Sequence, residues 1–204
     1  MIAYYCVMSY EILTALAAFA LVTSITPGPN NLMVMASGAN FGVTRTIPHL
    51  LGINLGFVLM TLLVGAGLAQ LFILFPAAYS VLKIISVVTM IYLAWKIASA
   101  AHHGQAKQSG TPLTFLQAAL FQWVNPKAWA MALTAISLYA PSRTMAAIAL
   151  VALVFGAVNL PSVSVWILLG RQMRRVLTSN SRMRIFNIVM ATLLIASLYP
   201  ILST

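Results

Sequence analysis

Two short clusters in this chain carry residue types suited to holding a small charged molecule. The first is Thr26, Pro27, Gly28, Pro29, Asn30 and Asn31; the second is Asn125, Pro126 and Lys127. Each lies inside a long apolar run. Proline has no N–H and its ring clashes with the preceding turn, which kinks or breaks a helix. At the first cluster the carbonyls of Thr23 and Ile25 are expected to lose their helical partners. Gly28 permits backbone closed to other residues, and Asn30 and Asn31 suit the cap of the helix that restarts. A kink at one proline is a common feature of membrane helices. Two prolines, a glycine and two asparagines together go well beyond one.

At the second cluster Pro126 suits the first position of a restarted helix, with Asn125 as its cap. Such an N-terminus presents partial positive charge and unpaired N–H groups, which suit a carboxylate. Lys127 adds a full charge, at a cost of at least about 2.5 kcal/mol in the middle of a membrane helix. Snorkelling to an interface is the bland alternative, but from mid-helix the reach is long. Glu11 is the chain's single acid, so the missing partner charge is expected from the bound molecule. The implied chemistry is recognition of a zwitterion. Its carboxylate would sit on Lys127 and the helix N-termini at Asn30 and Asn125, its ammonium on the carbonyls around Ile25 and Thr26. All nine residues of the two clusters are substrate-binding candidates. No catalytic, metal-ligating or cofactor-binding set is expected.

The elements that position these clusters are helices in a bilayer. Of 204 residues, 62% are hydrophobic and 6% charged, where soluble domains carry about a quarter of their residues as charges. A spanning helix needs about 20 apolar residues. Spans are expected at about 10–39 (broken at the first cluster), 47–72, 79–101, 113–138 (broken at the second), 145–170 and 185–201. The start, Met1 to Cys6, has no basic stretch, so the first apolar segment is expected to remain as a helix rather than be cleaved. Cys6 is the only cysteine, which leaves no disulfide within one chain.

The fold class is therefore an all-α integral membrane protein with six transmembrane helices, forming a single transmembrane domain over 1–204. Repeat one covers about 1–101 and repeat two about 113–204. Three helices per half is an odd number, so the halves form a 3+3 inverted repeat with broken helices one and four. Inverted repeats with discontinuous helices mark transporters, and their breaks mark the binding site. Basic residues are expected in loops on one side: Arg45, Lys107 with Lys96 just before its loop, and Arg171, Arg174, Arg175, Arg182 and Arg184. Lys83 and Arg143 fall on the other. The positive-inside rule makes the first side cytoplasmic and both termini external. The net charge of +10 is read as this orientation signal, not as nucleic-acid binding.

With the two break motifs in place, the chain resembles the lysine-exporter family of bacterial amino-acid exporters, which includes the homoserine/threonine exporters. Gly38 and Gly42, then Gly52, Asn54 and Gly56, are similar to that family's glycine pattern around the first loop and second helix. Leu93, Ala94, Trp95 and Lys96 resemble the end of its third helix, and Pro161 to Trp166 with Gly170 its fifth. The resemblance covers nearly the whole chain and implies export of an amino acid or derivative across the bacterial inner membrane. The stretch from Phe121 to Trp129, followed by Thr134 to Ser137, resembles the branch that exports cysteine and O-acetylserine. The chain departs from the family at Phe57, where many members carry an acid, and at Ser86 and Thr89. A cationic side chain would want a buried countercharge, so this departure argues against lysine or arginine and leaves a small neutral substrate as the expectation.

Other residues have plainer readings beside functional ones. The glycines four apart are read first as packing within the protomer, second as a homodimer face. Asn54 and Asn159 need partners in lipid; interhelix bonding and cavity lining both suit them. His49 is open to a proton-relay role, whereas His102 and His103 sit in a polar loop. Trp95 suits an interface belt, and Trp123 and Trp129 are placed to wall a pocket beside the second break. The loop arginines have lipid headgroups as further partners. An intramembrane enzyme is disfavoured, with no Gly-x-Ser-x-Gly elbow and no His–Glu metal motif. An ATP-driven pump would need a phosphate-binding loop, which is absent. The remaining rival is a non-transporting scaffold or subunit of a larger membrane complex. The driving force is left open among facilitated, voltage-driven and proton-coupled transport, with Glu11 and His49 as the proton candidates.

Overall fold

The computed structural model describes residues 10–100 and 111–199. Cys6, His102, His103 and Lys107, and the outer ends of the third and sixth expected spans, lie outside the described residues. Helices α1 (Tyr10–Ile25) and α2 (Pro29–Phe41) meet at the first cluster with a 55° bend. One residue, Gly42, turns α2 into α3 (Val43–Leu63); its φ of 83° is a conformation that favours glycine. The end of α3 loosens into a wide turn, Val64–Leu68, where Gly67 takes φ 111°. The short α4 (Gln70–Leu74) and long α5 (Pro76–Ser99) follow.

The second half begins with α6 (Phe115–Phe121), tightens through Gln122–Val124, and restarts as α7 (Pro126–Tyr139). Then come α8 (Met145–Val176) and α9 (Asn180–Ala196). Side-chain caps set these starts. Thr114 and Gln117 form a reciprocal box, Thr144 accepts from Ala147 N–H, and Ser179 accepts from Arg182 N–H.

Among the described residues, Val43–Leu68, Pro76–Ser99 and Met145–Val176 are each long and apolar enough to cross a membrane, and the bent α1–α2 pair qualifies as a fourth. The expected fourth and sixth spans are shorter pieces here: Phe115–Val124 plus α7, and the 17 residues of α9. The arginines expected in a loop after the fifth span are instead on helices. Arg171, Arg174 and Arg175 ride the last turns of α8, which runs to Val176, and Arg182 and Arg184 sit in the first turns of α9. A cationic C-terminal turn complements the helix dipole, so the arginines extend α8 instead of ending it.

The broken pair of each half packs into the other half. Helix α2 lies along α8, α3 along α6, α5 along α9, and α3 also crosses α8. Glycines permit this approach. A Cβ at Gly38 would lie 2.5 Å from the Ile167 carbonyl oxygen, and one at Gly56 would lie 2.7 Å from the Ala119 Cα. Cβ atoms at Gly52 and Gly170 would collide with the carbonyl oxygens of Phe115 and Met35. The glycine faces are thus filled within the protomer, apart from Gly42, which serves the turn. Phe57, Phe155, Leu16 and Trp129 anchor one core between α1, α3, α7 and α8. Met90, Phe121, Phe186 and Leu194 anchor another among α5, α6 and α9. Leucine, isoleucine and valine cover much of the outer surface, as at Leu55, Ile84 and Leu153, which suits contact with lipid tails.

Candidate functional site

The two breaks meet. The Lys127 ammonium donates to the Thr26 carbonyl at 2.9 Å, to Thr26 Oγ1 at 2.9 Å and to the Pro27 carbonyl at 3.3 Å. Helix α2 is about 20 Å long, and Phe115–Val124 about 16 Å. Helix α6 starts beside Gly52 of α3 rather than at the Gly42 turn, and it is the Lys127–Thr26 contact that sets both breaks at one depth. A second tie crosses the same point: the Asn30 and Gln122 amides exchange hydrogen bonds at 2.8 and 3.2 Å.

Every carbonyl freed by the prolines is taken inside the chain. Thr26 Oγ1 donates to the Thr23 carbonyl at 3.0 Å. The Asn31 amide donates to the Ser24 and Thr26 carbonyls at 2.8 and 2.7 Å. Trp166 Nε1 reaches the Ile25 carbonyl at 3.0 Å. The expected ammonium acceptors are thus occupied in this conformation, and Lys127 sits where the ammonium of a zwitterion was expected.

Three local expectations need correcting. Gly28, not Asn30 or Asn31, caps α2, with Pro29 as the first helical residue and no side-chain cap bond. Asn31 instead reaches back to the stranded carbonyls of Ser24 and Thr26. Gly28 has extended backbone, φ −178°, open to any residue. What demands glycine there is space, since a Cβ would lie 2.7 Å from Lys127 Cδ and 3.0 Å from its Nζ. The α7 terminus is closed as well. Pro126 has no N–H, Asn125 Oδ1 takes the Lys127 N–H at 3.2 Å, and the Asn125 carbonyl takes those of Ala128 and Trp129. At α2 the backbone N–H groups of Asn30 and Asn31 find no acceptor among the described residues. The open helix terminus is therefore at α2 alone.

The breaks enclose about 20 Å³, lined in part by Ser24, Asn31, Asn125, Lys127 and Asn159. That is room for about one water. Ser24 Oγ has no hydrogen-bond partner among the described residues. Asn159 donates to Asn54 Oδ1 at 3.0 Å across α8 and α3, so this pair bonds between helices while Asn159 also lines the cavity. Trp123 and Trp129 do not wall it. Trp129 Nε1 donates to the Trp123 carbonyl at 2.8 Å and its ring meets Phe72 edge-on at 5.0 Å, bracing the restart of α7.

Gln122 and Trp166 belong to the site and were not among the sequence candidates. A glutamine inside an apolar run is the signal that marks Gln122. Nothing local marks Trp166, whose partner is 141 positions away.

Gly28→Ala is expected to push Lys127 off the Thr26 and Pro27 carbonyls. The loss of charge-assisted bonds worth about 1.5–3 kcal/mol should lower the melting temperature in detergent without loss of membrane insertion. Thermal unfolding of the purified protein checks this; an unchanged melting temperature would refute the close approach.

A family model described as LysE type translocator matches residues 21–197. The chain is 30% identical over 190 residues to a cysteine/O-acetylserine efflux protein of Escherichia coli O139:H28, covering 92% of this chain and 96% of that one. It is 29% identical, with the same coverage, to proteins of that description in Escherichia coli K12 and Shigella sonnei. No solved structure matches.

Proposed function

Since the chain belongs to the LysE type translocator family, we propose that it is a secondary transporter exporting small neutral amino acids or their derivatives across the bacterial inner membrane. Cysteine and O-acetylserine, named for its relatives, are the first candidates, and homoserine and threonine the next. The carrying observation is the contact of Lys127 with Thr26 and Pro27, which joins two helix breaks in one small polar cavity.

The nine candidate residues then divide the work. Arrival of a zwitterion exchanges partners: its ammonium replaces Lys127 on the Thr26 and Pro27 carbonyls, and its carboxylate pairs with the released Lys127 and the open N–H groups of Asn30 and Asn31. Pro27, Gly28 and Pro29 keep those carbonyls and N–H groups out of the helix ladder. Asn125 and Pro126 hold Lys127 at the start of α7. A cavity of about 20 Å³ cannot hold an amino acid, so this conformation is closed and transport requires it to open.

The opening is proposed as rocking between two inverted halves of six spans in all, repeat one ending with α5 and repeat two with α9, in one transmembrane domain. Its support is the reciprocal packing of α2 on α8 and of α3 on α6. The arginine-rich end is proposed to face the cytoplasm and both termini the outside.

Efflux from cells preloaded with labelled cysteine, O-acetylserine, threonine, homoserine or lysine tests this reading. At least one neutral substrate should leave faster than from cells lacking the protein, and lysine should not. Lysine export at the same rate would refute the neutral-substrate reading, and no export of any would refute the function.

A further inference from the structure

A second cavity lies away from the breaks and has no part in the reading above. It is a partly open space of about 210 Å³ between α2, α3, α5 and residues 111–113, which lead into α6. Pockets for drug-sized ligands run to about 300–1,000 Å³, so this one suits a smaller molecule. Its walls are mostly apolar, with Met33, Leu93 and Leu113 among them. Two groups in it carry chemistry: His49 from α3 and Lys96 from the last turn of α5.

His49 is 1% exposed, and neither of its ring nitrogens has a hydrogen-bond partner among the described residues. A neutral imidazole offers one donor and one acceptor, and a buried polar group left unpaired costs about 1–3 kcal/mol. The polar neighbours are already engaged. Ser37 pairs with Thr46 at 2.8 Å, and Asn40 with Asn187 at 2.8 Å. Lys96 has no hydrogen bond among the described residues. An apolar chamber with an unsatisfied imidazole and a cation on its wall matches a small carboxylate bearing a short apolar group.

The cavity is also placed on a route. Met33, Ser37 and Asn40 line it and fall on the same face of α2 as Asn30, which lines the cavity at the breaks. One helix face thus runs from one chamber to the other, starting at the arginine-rich end.

We propose that this cavity is a second binding site, which holds the carboxylate of a small amino acid through a hydrogen bond from His49 and the charge of Lys96. The occupant is the transported molecule before it reaches the breaks, and to that extent the inference rests on the transport reading. An anionic lipid headgroup presents similar charge, and the test separates the two.

The full chain, labelled with 15N-histidine, is placed in phosphatidylcholine nanodiscs and titrated with acetate and with O-acetylserine. The His49 ring resonance is identified by its loss in His49→Gln. It should shift saturably with both ligands, and Lys96→Gln, a change on the rim that leaves the buried ring in place, should weaken acetate binding about tenfold or more. The shift should persist in Lys127→Ala, which disables the site at the breaks. Absence of a saturable shift with acetate overturns the proposal. An equal shift on adding phosphatidylglycerol to ligand-free discs overturns it in favour of lipid. If acetate and O-acetylserine move His49 in a protein that exports nothing, the site stands and the transport reading falls.

Discussion

Lys127→Ala is expected to reduce export by about 100-fold or more, equivalent to about 2.7 kcal/mol of barrier, with the protein still inserted. The ammonium makes three contacts across the two breaks and supplies the one full charge at the site. Alanine leaves the Pro27 carbonyl without its donor, while the Thr26 carbonyl keeps Asn31. The folded state loses part of one cluster, whereas transport loses both the latch and the partner for a substrate carboxylate. Lys127→Arg should recover little, because a planar guanidinium cannot make the same compact contacts beside Gly28. Initial efflux rates normalised to inserted protein check this. A wild-type rate in Lys127→Ala would sink the assignment of the breaks as the substrate site.

Gly170→Ala should give the largest loss of stability, about 3 kcal/mol. Its Cβ would meet the Met35 carbonyl oxygen and lie 2.9 Å from the Met35 carbonyl carbon and 3.0 Å from the Ala39 nitrogen. These are backbone atoms, which cannot rotate away as a side chain can. Overpacking of this kind costs about 1–3 kcal/mol and sometimes more. In a bilayer, close packing of small residues is itself a main source of helix association, so α2 and α8 would lose contact along their length. Because α2 begins at the first break, the damage should reach the site as well. Thermal unfolding in detergent, followed by size-exclusion chromatography, measures it, with Leu153→Ala on the lipid-facing surface as the near-neutral comparison. Equal melting of Gly170→Ala and the wild-type protein would contradict the α2–α8 crossing.

Much of this arrangement is legible along the chain. Proline removes a donor wherever it stands, yet Pro48 and Pro161 ride inside the continuous helices α3 and α8. The breaks fall at the two clusters, where asparagine stands beside proline, and Asn125 caps α7 as expected. The Gly52 and Gly56 spacing identifies a packing face, which α6 fills. The less legible features depend on neighbours. Gly28 looks like a residue chosen for its backbone and is required for space. Asn30 and Asn31 look like caps, yet they serve Gln122 and the carbonyls of Ser24 and Thr26. Trp123 and Trp129 look like pocket walls and instead brace a helix start.

By itself the sequence determined that the chain is helical and apolar enough for a bilayer, where its helices break, and which groups those breaks set loose. These are local consequences of composition, missing N–H groups and the needs of backbone in lipid. Only the tertiary structure decided which group answers which. Lys127 and Thr26 are 101 positions apart, and their meeting depends on how α2, α7 and α8 pack. A carbonyl stranded by proline takes whichever donor the fold brings within reach, so the ammonium expected from a substrate is here the chain's own.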